Sequence, residues 1–391
     1  MTCIVVNAVS VSEGGSLVVL RELLSGMTAF RPDWQWKVVV NSKVMALPDV
    51  PNVESICFPA TDRSGIKVRL WYENGLPGLL KRVGADVLFS QTNYVPMRRL
   101  PCPSLLLVQH AGHFSPLFSK LTLERSGALG RAAWKLKRRW VRSSVRAATL
   151  VTVQTEALAR RIVSATGCAP QHIRVVAHGT GQATIQQTAA VPPVADEPLR
   201  VGYVTKSGVQ KNFPVLFEAA ARLVERGVRL TLVLTLSTEI AANREVLGIA
   251  RRLGLEGIIE NHGELGPQEI GGVYRSLHVF VFPSLCESFG FPMVEAMAYG
   301  IPLLIADVDS NVEIAGECGI AFVANDSVAL AGAIDRLAQD RAWHESRARA
   351  SLARAREFSW TGAAARTVEL LEELIQVKVV QDHGPDSSCA T

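Results

Sequence analysis

The chain has 391 residues, 48% of them apolar and 20% charged, with a net charge of +5. That length suggests two or three domains with sizeable cores, and so mild a charge does not by itself imply a nucleic-acid partner. No apolar run approaches the ~20 residues that span a bilayer, and the N-terminal MTCIVVNAVS has no basic region before its apolar stretch, so it reads as a first strand, not a signal peptide.

In chain order, apolar and β-branched runs predict strands at 3–9, 37–41, 86–90, 104–108, 150–154 and 173–177. Helical stretches at 17–28, 75–82 and 155–166 separate several of them. This alternation predicts a first doubly wound domain. Residues 189–198, AAVPPVADEP, have the composition of a linker. A second alternation follows, with strands at 199–204, 230–235, 258–261, 279–282, 302–306 and 320–323. Helices at 213–226, 244–253, 268–276 and 327–339 lie between them. Trp360, Ala364, Val368, Leu371, Leu374 and Ile375 fall on one face of a last helix. The expected domains are 1–188 and 199–358, joined by the linker and followed by a helix at 359–378. The polar tail 379–391 is expected to be disordered.

The most informative stretch is VFVFPSLCESFGFPMVEAMAYGIPLLIA, residues 279–306. Pro283 ends a buried strand, and a loop with Ser284, Glu287, Ser288 and Gly290 follows. Pro292 suits the first turn of a helix, where no backbone N–H is needed. Gly300 and Pro302 stop that helix. Glu287 therefore lies at the carboxyl end of a parallel strand, where open α/β sheets bind ligands. Glu295 lies in the first turn of the next helix, whose start favours an anion such as a diphosphate. The plainer reading is a helix cap and a loop charge.

Lys206 and Lys211 follow the first strand of the second domain, around Gly208. Two cations there suit a diphosphate leaving group; the alternative is a pair of solvated lysines. Gly14 and Gly15, in the loop Ser12-Glu13-Gly14-Gly15-Ser16, allow close backbone approach to a ligand. The loop is not GxGxxG, which disfavours a nicotinamide dinucleotide. Seven cysteines are scattered, with no CxxC pair, so reduced thiols are expected. Cys286, beside Glu287, could be taken for a nucleophile, but the sequence motif offers no group to activate it. The histidines lack metal-ligand spacing. Residues 120–146 carry nine basic residues against one acid, with Trp134 and Trp140 interleaved. Such a helix suits an anionic membrane surface or single-stranded nucleic acid; a solvated basic face on a core helix is the alternative.

The pattern P-S-x-x-E-S-F-G-x-P-x-x-E-A-M-A at 283–298 resembles the donor-site signature of retaining glycosyltransferases of the bacterial group-one family. The resemblance runs along essentially the whole chain and is strongest from Gly202 to Glu313. It implies the GT-B fold, an α/β architecture of two doubly wound Rossmann-like domains facing a cleft. It implies that Glu287 contacts the donor sugar and Glu295 the nucleotide ribose, with Ser288 beside them and the Phe289-Gly290 amides on the sugar or phosphate. Lys206, at a position that is usually Arg, and Lys211 would neutralise the diphosphate, and the loop at Gly14 and Gly15 would lie over it. His110 falls where the family has a histidine near the reacting sugar, so His110, Glu287 and Lys211 form the expected catalytic set. His178 stands where the family usually has an Asn-Gly turn and is expected to be structural. Asp307-Val308-Asp309 precedes the family's Glu-containing turn (Asn311-Val312-Glu313-Ile314) and is expected to be a loop, not a metal clamp; no metal or other cofactor is expected.

Arg69–Asn74 and Ser90–Pro96 resemble a subgroup of surface-polysaccharide enzymes, where Glu73 and Asn93 would touch the acceptor. The function implied is transfer of a mannose-type or similar hexose from a nucleotide diphosphate sugar to a saccharide or lipid-linked acceptor. The family's lipid-linked acceptors favour the membrane reading of 120–146, hence a cytoplasmic protein, peripheral on the inner face of the plasma membrane, with no nucleic acid. A sugar-nucleotide epimerase of the same shape and a non-catalytic membrane-associated partner are the alternatives.

Overall fold

The computed structural model describes residues 1–11, 14–41, 47, 50–58, 65–194 and 197–382. The chain forms two compact units. The first comprises 1–114, 127–179 and the segment from Trp360 onward; the second comprises Ser115–Ser126 and Thr180–Ser359.

The first unit contains β1 (Cys3–Asn7), β2 (Gln35–Val40), β3 (Val53–Cys57), β4 (Val87–Ser90), β5 (Ser104–Leu107), β6 (Leu150–Val153) and β7 (Ile173–Val175). They form one seven-stranded sheet in the order β3-β2-β1-β4-β5-β6-β7. Every adjacent pair is parallel. Strands β1, β4, β5 and β6 are buried along their whole length, as expected of a parallel sheet covered on both faces. The winding reverses between β1 and β4, where Asn7 pairs with Ser90. Asn7 Nδ2 donates to Ser90 Oγ (3.0 Å) and to the Tyr72 hydroxyl (3.2 Å), tying the two strand ends together.

The second unit contains β8 (Leu199–Tyr203), β9 (Leu230–Leu234), β10 (Ile259–Asn261), β11 (Val279–Phe282), β12 (Leu303–Ala306) and β13 (Gly319–Phe322). Their order is β10-β9-β8-β11-β12-β13, again all parallel. The switch point lies between β8 and β11. Tyr203, Phe213, Phe280 and Phe282 cluster beneath it, with Tyr203 and Phe213 ring centres 4.9 Å apart.

Several expected elements differ. Residues 180–190, which include the start of the expected linker, group with the second unit, where Gln186 N–H donates to Ala298 O and Ala190 N–H to Gly300 O. The basic segment is two helices, Pro116–Glu124 and Ala128–Ala147. Ser115 Oγ caps the first by accepting from Phe118 N–H, and Gly127 begins the second. The expected loop at 307–314 is a helix from Asp309 to Ala315. Strand β3 and the helix Arg341–Ala355 were not foreseen. The last helix runs from Trp360 to Asp382, beyond the expected end at 378; residues 383–391 of the expected tail lie outside the described residues.

The last helix packs against the Gly14–Phe30 helix. A Cβ on Gly26 would stand 2.5 Å from Ala364 Cβ, so only glycine permits this approach. Lys378 Nζ adds a 2.8 Å bond to Asp86 Oδ1, Arg174 pairs with Glu373 at 3.3 Å, and Arg31 pairs with Glu372.

Candidate active site

The second unit gathers its polar side chains at the carboxyl ends of β8 and β11, beside the switch point. The loop after β8 carries Lys211, and the loop after β11 carries Ser284 and Glu287. Lys211 Nζ donates to Glu287 Oε1 at 2.6 Å, and the Ser284 hydroxyl donates to the same oxygen at 2.6 Å. The Lys211 and Glu287 side chains are only 13% and 15% exposed, so their attraction is weakly screened. The loops also share backbone bonds: Leu285 N–H donates to Gln210 O at 2.9 Å, and the Tyr203 hydroxyl donates to Lys211 O at 3.0 Å. Buried Asn311 donates through Nδ2 to Ser284 O (2.8 Å) and Ala306 O (3.3 Å), holding the acid-bearing loop from the far side. The Lys211 ammonium stands 5.7 Å from the centre of the Phe282 ring.

Gly290 turns the chain into the helix Phe291–Ala298 with φ +87°. A Cβ there would meet the Phe282 ring at 3.1 Å. Phe289 is buried against Phe291 and Phe358, which anchors the turn; Ser288 beside it is half-buried. Glu295 projects from the first turns of this helix. Its Oε2 accepts from the Tyr274 hydroxyl at 2.7 Å and its Oε1 from Gln182 N–H at 3.4 Å. Gly181 lies so close that a Cβ would fall 2.3 Å from Oε1. Burial raises the Glu295 carboxyl above the usual range, opposed by the bonds from Tyr274 and Gln182. Lys206 pairs instead with Glu264 at 2.8 Å, both more than half exposed; Lys206 holds the Glu264 carboxyl below the ordinary range. Tyr274, the Gly181-Gln182 backbone and Glu264 were missed in the sequence. Only their partners carry a motif.

In the first unit, exposed His110 follows β5 and its ring lies 4.7 Å from that of His113. His113 is buried, stacked on Trp134 at 5.0 Å, and its carbonyl accepts from Arg138 Nε at 3.0 Å. Burial, with His110 and Lys137 adding to it, pushes the His113 pKa down to about 2. Asn93 Oδ1 accepts from the backbone N–H groups of Gln109 and His110. Glu73 sits in a π-helical turn, Trp71–Gly75, and accepts from Met97 N–H at 3.3 Å. Gly14 and Gly15 open the first helix, Gly14 with φ +62°; Ser12 and Glu13 lie outside the described residues. His178 is buried against Trp360, ring centres 5.3 Å apart, in the structural setting expected of it. Trp134 and Trp140 face inward, the latter onto Tyr94 at 4.2 Å. The large exposed apolar side chains of this helix are instead Leu129 and Leu136. Among the described residues, no group of three or more His, Cys, Asp or Glu is placed to hold a metal, and no helix is long and apolar enough to cross a membrane.

The fold is that of known structures. Sucrose-phosphate synthase from Thermosynechococcus elongatus superposes with a TM-score of 0.75 at 17% identity, over 96% of this chain and 100% of that one. HepE of Anabaena, solved in complex with UDP-glucose, superposes with a TM-score of 0.68 at 17% identity, over 96% and 100%. The architecture is therefore the two-domain GT-B fold. Residues 198–340 match the family of glycosyl transferases group 1. The O-antigen chain mannosyltransferase B of Escherichia coli is 30% identical over 167 residues, which are 42% of this chain and 44% of that protein. The match thus spans less than half of that relative's length.

Proposed function

We propose that the protein is a retaining glycosyltransferase that moves a mannose-type hexose from a nucleotide diphosphate sugar to a saccharide or lipid-linked acceptor in surface-polysaccharide synthesis. The observation that carries this reading is the Lys211–Glu287–Ser284 cluster beside the Gly290 turn, at the switch point of the second sheet. Glu287 would accept hydroxyl protons of the donor sugar. Lys211, released from its carboxylate partner, would stabilise charge developing on the departing diphosphate. Glu295 would bind the ribose hydroxyls, prepositioned by Tyr274 and Gln182. In the reaction, the acceptor oxygen bonds to the anomeric carbon on the face from which the diphosphate leaves. The bond to the diphosphate breaks, and a donor phosphate oxygen takes the acceptor proton. His110 would lie beside the reacting sugar. The names of the mannosyltransferase and of the UDP-glucose complex support a hexose donor carried on a nucleotide diphosphate.

No metal is needed in this scheme, since Lys211, Lys206 and the helix start at Phe291 supply the positive potential. Turnover is expected to survive excess chelator. The first unit's basic helix, with Leu129 89% exposed and Leu136 57% exposed among Lys135, Lys137 and Arg139, would bind the anionic inner leaflet from the cytoplasm. Flotation with anionic vesicles at low salt checks this, and indifference to them would remove the membrane from the proposal. The central experiment is transfer measured with a panel of sugar nucleotides, for the wild type and for Glu287→Ala. Acceptor-dependent transfer that is lost in the variant is expected. Donor consumption without an acceptor would point to epimerisation instead.

A further inference from the structure

We propose that Asn93 is a positioning residue, which fixes the backbone at Gln109–His110 so that the His110 imidazole is presented in one orientation beyond β5. The proposal rests on the reading that His110 lies at the reacting sugar. Asn93 sits in the loop leaving β4 with φ +66°, in the left-handed region that asparagine enters more readily than most residues. From there its Oδ1 accepts two successive backbone N–H groups, from Gln109 at 2.7 Å and His110 at 3.1 Å. Gln109 Nε2 returns a bond to Gln91 O at 2.9 Å. Three bonds thus join the loop after β4 to the loop after β5.

What they hold is the base of an exposed imidazole. His110 has an extended backbone (φ −122°, ψ 96°) and leads into the short helical turn Ala111–His113. Its ring rests against His113, whose own position is set by the stack on Trp134 and the bond from Arg138. The backbone is fixed from one side by Asn93, and the ring is supported from the other by His113. An exposed side chain on a loop lacks this order by default, and a group misplaced by about 1 Å loses on the order of 10²-fold in rate. The oxygen is the needed atom. Glycine at position 93 keeps the left-handed backbone and loses the acceptor, whereas aspartate keeps both.

The experiment compares Asn93→Gly, Asn93→Asp, His110→Ala and the Asn93→Gly/His110→Ala double variant, each checked for an unchanged melting profile. Asn93→Gly is expected to lower kcat by on the order of 10²-fold with the donor KM unchanged, and Asn93→Asp to restore most of the rate. On the His110→Ala background the glycine substitution should cost nothing further. The His110 ring signal in NMR spectra should be single in the wild type and in Asn93→Asp, and broadened or shifted in Asn93→Gly. A glycine variant with normal kcat beside an inactive His110→Ala overturns the proposal. So does a loss that persists in full without His110, or a His110 signal that ignores the substitution. If His110→Ala transfers sugar at the wild-type rate, the site reading fails instead, and the ring signal still decides whether Asn93 holds it.

Discussion

At the residue scale, Glu295 and Glu287 have similar loop-and-helix settings but different environments. Glu287 shares one oxygen between an ammonium and a hydroxyl, so one of its partners carries a full charge. Glu295 has neutral donors and a half-buried position, and desolvation raises its pKa. It therefore takes up a proton at a higher pH than an ordinary glutamate, and a protonated carboxyl is a poorer acceptor for ribose hydroxyls. The donor KM is expected to rise as pH falls, beginning above the ordinary glutamate value of about 4.3, with kcat less affected. Tyr274→Phe removes a bond that favours the charged form, so the rise should begin at a higher pH; initial rates across pH at varied donor measure both. Lys211→Met should lower kcat by about 10²–10³-fold, the usual loss when one transition-state donor is removed. Retention of most of the rate would place charge stabilisation elsewhere.

At the element scale, the loop from Pro283 to Gly290 depends on one backbone conformation. Gly290→Ala must adopt φ +87° and fit a methyl 3.1 Å from the Phe282 ring. A left-handed non-glycine residue costs about 1–2 kcal/mol, so a lower Tm and weaker nucleotide binding by calorimetry are expected. Gly78→Ala, inside the helix Leu76–Val83 with open space at its Cβ, should instead stabilise by about 1 kcal/mol. Element legibility followed burial. All six strands of the second sheet were readable, because β8, β9, β11 and β12 are dense apolar runs flanked by glycine, proline or charge. Strand β3 was not, since VESIC at the sheet edge buries none of its residues fully and carries no clean alternation. The helix Arg341–Ala355 was missed because its buried positions are His344, Ala348, Ser351, Leu352 and Ala355, too polar and small to draw an apolar stripe. In the site, Glu287 and Lys211 were legible through their motifs. Tyr274 was hidden because one hydroxyl bond over 21 positions leaves no local pattern.

At the scale of the whole molecule, acid sensitivity follows from imidazoles whose pKa burial lowers, His113 and His178 most of all. Burial lowers the His113 pKa to about 2 and the His178 pKa to about 3. Above the ordinary histidine value of about 6.5 neither state carries the proton, and the stabilisation of the neutral fold is fully present. As pH falls below 6.5 the unfolded chain binds protons that the folded chain refuses. Stability is thus expected to fall from pH 6.5 toward 4, at up to about 1.4 kcal/mol per pH unit for each group. Chemical denaturation across pH measures the slope, and His178→Asn should flatten it even if its stability at pH 7 is lower. The first unit has a further property: its last piece begins at Trp360, while Thr180–Ser359 of the second unit is one uninterrupted run. A ribosome working at about 5–20 residues per second delivers every strand of both sheets before the helix that closes on Gly26 exists. The nascent first unit must therefore wait, with the groove at Gly26 uncovered, for roughly the time needed to synthesise the second. A chain stopped at Ser359 should still bind nucleotide diphosphate, yet be cut rapidly by protease within its first 114 residues.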